Sequence, residues 1–143
     1  MLKRPGLAAI ESPKPPAEQL TAVCRILQRL PHYTGVYRYA LEGDTLVLKA
    51  FQGRATEHTR IPCGKGICGA NAQTRAPVIV ADVASDPLYL ACNLETKSEI
   101  VFPILRGETY LAQIDVDSDD RATFGADDES FLAQVAARLA PLF

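Results

Sequence analysis

Ser98-Glu99-Ile100-Val101-Phe102-Pro103-Ile104-Leu105 runs into Arg106-Gly107-Glu108 and returns as Tyr110-Leu111-Ala112-Gln113-Ile114-Asp115-Val116-Asp117. Two arms rich in branched and aromatic side chains, joined at a glycine-centred link, read as a β-hairpin. In the second arm Asp115 and Asp117 alternate with Ile114 and Val116, so both carboxyl groups project from the same face of the strand. With the turn near Gly107, Glu99 comes opposite the region of Asp115 and Asp117. One patch of the sheet therefore gathers three acids.

Outward from this hairpin the pattern alternates between strand and helix. A last helix is expected from about Ala126, with Asp127, Asp128 and Glu129 at its positive end and Phe131, Leu132, Val135, Ala136 and Leu139 on one face. Upstream, Val78-Ile79-Val80 reads as a short buried strand, and residues 82–93 as irregular chain with a turn at Asp86-Pro87. Gly64, Gly66 and Gly69 surround a short helix starting near Ile67 and running toward Thr74. Thr59-Arg60-Ile61 is a short strand. Residues 33–41 and 45–51 form another hairpin around Glu42-Gly43-Asp44. Leu20, Val23, Cys24, Leu27 and Leu30 fall at helical spacing, and Pro31 closes that segment. Residues 1–16 carry Pro5, Pro13, Pro15 and Pro16 and read as an extended leader, leaving 17–143 as a single domain. The order suits an α+β fold, a central antiparallel sheet with the N- and C-terminal helices on one face and a short helix in the crossover.

Composition excludes several functions. The chain has 143 residues, 48% apolar and 22% charged, with a net charge of −2. That balance gives no electrostatic reason to expect nucleic acid or an anionic membrane surface. No apolar run approaches the ~20 residues that span a bilayer. The apolar stretch Leu7-Ala8-Ala9-Ile10 is too short for a secretory signal core. A cytoplasmic location is the expectation, and there thiols stay reduced unless catalytic or metal-bound.

Three of the four cysteines lie between residues 63 and 92. Cys24, on the apolar stripe of the first helix, reads as a small buried hydrophobe. Cys68 lies near a helix start with Lys65 three residues before it, which favours the thiolate. Cys92 lies in irregular chain, where reactive groups concentrate, and Cys63 follows Pro62 at a packing position. His58, Cys63, Cys68 and Cys92 are spaced by five, five and twenty-four residues, with no C-x₂₋₄-C knuckle, so no metal is expected. Neither His32 nor His58 has a partner in the sequence that would orient it as a hydrolase base. The three acids raise one another's pKa, which suits a proton donor; they could equally hold a substrate ammonium group, or be an unremarkable solvated face.

Six segments taken in order resemble the GAF domain, and within it the free methionine-(R)-sulfoxide reductases. They are Tyr33-Thr34-Gly35-Val36-Tyr37, Arg60-Ile61-Pro62, Gly64-Lys65-Gly66-Ile67-Cys68-Gly69, Ala91-Cys92, Ser98-Glu99-Ile100-Val101 and Ile114-Asp115-Val116-Asp117-Ser118. The resemblance implies that Cys92 attacks the sulfoxide sulfur and becomes a sulfenic acid. A second cysteine then condenses with it to a disulfide, which thioredoxin reduces. It makes Glu99, Asp115 and Asp117 the acidic cluster that binds substrate and assists protonation, and Tyr37 an aromatic of the pocket. Tyr33 stands where the family usually has tryptophan, which implies a substrate-binding place at the wall for the substrate methyl. His58 stands where it usually has a resolving cysteine, which leaves Cys68 as resolver and Cys63 as the alternative. The implied partners are free methionine sulfoxide or a similar small molecule, thioredoxin, and a second copy of the chain as a homodimer. No cofactor is implied. The rival reading is a non-catalytic GAF domain that binds or senses a small molecule.

Overall fold

The computed structural model describes residues 16–87, 89 and 95–143. The leader assigned to residues 1–16 lies outside these, Pro16 excepted. The elements are α1 (Pro16–Gln28), β1 (Gly35–Glu42), β2 (Thr45–Gln52), β3 (Arg60–Pro62), α2 (Gly66–Thr74), β4 (Val78–Val80), β5 (Ser98–Arg106), β6 (Thr109–Ser118) and α3 (Ala126–Leu139). Among the described residues six strands form one antiparallel sheet in the order β3-β2-β1-β6-β5-β4. The first helix stops at Gln28, ahead of Pro31. A 3₁₀ turn at Val83–Ser85, capped by the Asp82 side chain on the Ala84 N–H, interrupts the chain after β4.

Strand alternation divides the interior in two. Helices α1 and α3 cover one face, where Leu20, Val23, Cys24 and Leu27 meet Leu132, Val135 and Leu139 over Val36, Ile100, Ile104, Ile114 and Val116. Cys24 belongs to this core, and burial pushes its thiol up to about 11. The crossover helix α2 lies on the opposite face, where Tyr37, Tyr39, Leu46, Ile61, Ile67, Cys68, Val101 and Tyr110 form a second, smaller cluster. The α+β architecture read from the sequence is thus present, with α1 and α3 sharing a face and α2 across the sheet from them.

Candidate functional site

The site is built on the second face. In the β5–β6 ladder Glu99 pairs with Asp117 and Val101 with Asp115, while β1 sets Tyr37 beside Asp115 and Gly35 beside Asp117. Even-numbered Ile114 and Val116 point into the helix-covered core, so the odd-numbered acids must point the other way. There they are covered. Glu99 is 4%, Asp115 2% and Asp117 3% exposed, so the solvated-face reading does not hold.

Helix α2 supplies the thiol. Its entry is fixed by a tight approach: a Cβ on Gly69 would lie 2.5 Å from the Pro62 carbonyl oxygen, so only glycine lets the helix pack on the Pro62–Gly64 turn. The Gly64 N–H then donates to Gly69 O at 2.8 Å and the Lys65 N–H to Pro62 O at 3.1 Å. From the third residue of this helix Cys68 Sγ reaches Asp115 Oδ2 at 3.3 Å. The helix is held from below by Tyr110, whose hydroxyl lies 2.6 Å from Asn71 Oδ1 and 2.8 Å from Gln113 Oε1.

Burial drives the electrostatics. Removal from water, and then the charge of Asp115, raises Glu99 and Asp117 well above the carboxylate range. Asp115 is raised by burial too, but neighbouring Glu99 and Cys68 favour its charged form and offset part of the shift. Cys68 corrects the sequence expectation of a thiolate. Burial first, then Asp115 and Glu99, push its thiol well above its ordinary value, and Lys65 is exposed at the helix entry. A helix N-terminus cannot outweigh three carboxyl groups and lost solvent.

Two tyrosines of β1 frame the acids and secure the loop between β2 and β3. Tyr37 Oη donates to Arg54 O at 2.6 Å and Tyr39 Oη to His58 O at 2.7 Å. The Tyr37 ring stacks on Phe51 with centroids 6.0 Å apart; a Cβ on Gly35 would come within 2.9 Å of that ring. Arg54 makes a bidentate pair with Asp119 at 2.7 and 2.6 Å, tying the loop to the chain after β6. Two hollows result. One is lined by Tyr39, His58, Lys65, Cys68, Glu99 and Asp115, the other by Thr34, Gly35, Tyr37, Arg54, Thr96 and Asp117.

Of the residues singled out from the sequence, Cys68, Glu99, Asp115, Asp117 and Tyr37 come together here. Tyr33 does not join them: it packs edge-on against Phe124 at 5.5 Å and donates to Asp128 Oδ1 at 2.7 Å, in the helix-covered core. Cys63, half-buried in the turn before α2, donates its N–H to Asp44 O. Cys92 lies outside the described residues. Sequence reasoning missed Tyr39, Arg54 and Tyr110; the alternation of Tyr37 with Tyr39 on one strand was the available signal for the first.

The GAF domain family matches residues 18–141. The free methionine-R-sulfoxide reductase of Saccharomyces cerevisiae is 43% identical over 107 residues, 73% of this chain and 59% of that protein. The Escherichia coli protein of the same name is 34% identical over 114 residues, 80% of this chain and 68% of that one. The solved structure of the type II free methionine-R-sulfoxide reductase from Thermoplasma acidophilum is 39% identical, with a TM-score of 0.86 over 89% of this chain and 91% of that chain. This chain is a GAF domain of the free methionine-R-sulfoxide reductase family. A Neisseria meningitidis member, solved in complex with its substrate, shares the fold at a TM-score of 0.88 and 30% identity, over 95% of this chain and 82% of that one. The match to the yeast member of the family spans only 59% of its length. Among the described residues no helix is long and apolar enough to cross a membrane.

Proposed function

We propose that this protein reduces free methionine-(R)-sulfoxide by thiol chemistry. The observation that carries the reading is the buried triad of carboxyl groups, Glu99, Asp115 and Asp117, with the Cys68 thiol 3.3 Å from Asp115. Sulfoxide reduction needs a proton delivered to a poor leaving oxygen. Carboxyl groups that hold protons to unusually high pH are suited to that task. Glu99 and Asp117 fill this role, and Asp115, whose charged form Glu99 and Cys68 favour, attracts the ammonium group of a free amino acid.

Cys92 is the nucleophile in this scheme. Its thiolate attacks the sulfoxide sulfur, the protonated oxygen passes to the cysteine as a sulfenic acid, and methionine leaves. Cys68 then attacks the Cys92 sulfur, its proton passing by way of Asp115 to the leaving hydroxyl, and water departs as the disulfide forms. The deep position of Cys68 suits a thiol that is activated only during this step. Cys63 is the alternative resolver. A thioredoxin-type dithiol returns the pair to the reduced state, and the setting is the reducing cytoplasm. The folded unit is residues 17–143, with residues 1–16 a leader, and a homodimer is the assembly consistent with the family reading.

Thioredoxin-coupled NADPH consumption with the R and S epimers tests the proposal. R-specific turnover is expected, abolished in Cys92→Ser. Cys68→Ser should release about one equivalent of methionine and then stop; sustained turnover in it transfers the resolving role to Cys63. Absence of both turnover and single-turnover release would leave a GAF domain that binds a small molecule without acting on it.

A further inference from the structure

Cys68 Sγ and one carboxyl oxygen each from Glu99 and Asp115 lie within 4.8 Å of one another. These donors come from α2, β5 and β6, so no short-range ligand spacing announces them. All three residues are more than nine-tenths buried and line one hollow of about 20 Å³, room for a single water-sized occupant. Within that hollow Glu99 Oε1 and Asp115 Oδ1 are buried without a hydrogen-bond partner among the described residues, as are both oxygens of adjacent Asp117. Unpaired buried acceptors are costly, and here they surround a thiol in a hollow whose basic lining residues are half-buried His58 and exposed Lys65.

One sulfur and two oxygen donors form a borderline-soft set that suits zinc or cadmium better than magnesium or calcium. Ile61 and Ile67 give the hollow an apolar wall that limits water around the donors. We propose that Cys68, Glu99 and Asp115 bind a thiophilic divalent cation, zinc in the cell, in competition with substrate. On binding, the Cys68 thiol and the Glu99 carboxyl give up their protons to solvent, and the sulfur stays deprotonated in the metal–sulfur bond. The competition rests on the reductase reading above; the binding does not. Zinc would then hold the enzyme off while occupying the thiol needed for recycling.

Cadmium added to reduced, chelator-stripped protein reports the bond directly through its ultraviolet thiolate-to-metal absorption. Wild-type protein should saturate near one equivalent. Cys68→Ser should lose the band, Glu99→Gln and Asp115→Asn should each weaken binding at least tenfold, and Cys63→Ser should retain it. Absence of a saturable band, or a band unchanged in Cys68→Ser, overturns the site. Should Cys68→Ser not fold, unaltered affinity in both Glu99→Gln and Asp115→Asn overturns it equally. Turnover in chelator-containing buffer, measured alongside, tests the reductase reading alone; where turnover exists, zinc should raise the apparent KM for the sulfoxide, and a KM indifferent to zinc removes the competition.

Discussion

The two faces of the β5–β6 hairpin are made by the same strands and do opposite things. On one, Ile100, Ile114 and Val116 meet α1 and α3 in an apolar core. On the other, one residue away in each case, Glu99, Asp115 and Asp117 are buried almost as deeply. Burial of the first set drives folding. Burial of the second opposes it, because carboxyl groups leave water for a place with few partners. The helix-covered face supplies the stability that lets the other face keep chemically useful, thermodynamically unfavourable groups.

Substitutions on the two faces should therefore separate activity from stability. The largest effect expected is on turnover: Glu99→Gln should lower it by about 10²–10⁴-fold, the usual share of a positioned acid. Its unfolding midpoint should stay level or rise, since a costly ionisable group is removed. Steady-state assays beside urea unfolding measure both, and an active Glu99→Gln would break the comparison. Leu132→Ala, in the opposite core with no exposed surface, should do the reverse. It should cost about 2–5 kcal/mol of stability and leave activity per folded molecule unchanged.

The division shows how far the sequence could be read. The hairpin, the placement of Glu99 opposite the region of Asp115 and Asp117, and the α+β order all follow from alternation and turn chemistry, which are local. What depends on packing was not legible. Cys68 looked like a thiolate because its helix position is local, whereas the carboxyl groups that reverse its chemistry arrive from strands thirty and more residues on. Tyr33 has the same parity as Tyr37 and would share its face in a continuous strand. β1 begins only at Gly35, and Tyr33, ahead of it and just after the turn at His32, lies on the helix side.

Acidity offers a subtler way to sharpen the contrast. The folded-state values of Glu99 and Asp117 lie above their ordinary 4.5 and 3.8, so the native protein binds protons more tightly than the unfolded chain. Their stabilising contribution is complete below those ordinary values and is lost as pH rises through the raised folded values. Stability should thus decline as pH rises above those ordinary values, and Glu99→Gln or Asp117→Asn should flatten the slope. Thermal unfolding across pH reads it; an unchanged slope in both variants would place the titration elsewhere. The smallest effect belongs to the exposed Arg54–Asp119 pair. Arg54→Ala should change stability by less than about 1 kcal/mol, while Tyr37 still holds the same residue's backbone carbonyl.

Both margins of the sheet are strands of three residues, β3 and β4. The first ends in Pro62, which has no N–H to offer, and Pro77 immediately precedes the second. These two strands themselves therefore present little unpaired backbone to a passing extended chain, although β5 runs on past its pairing with β4 from Phe102 to Arg106. Blunt margins of this kind make those two edges poor templates for pairing with a partly unfolded chain.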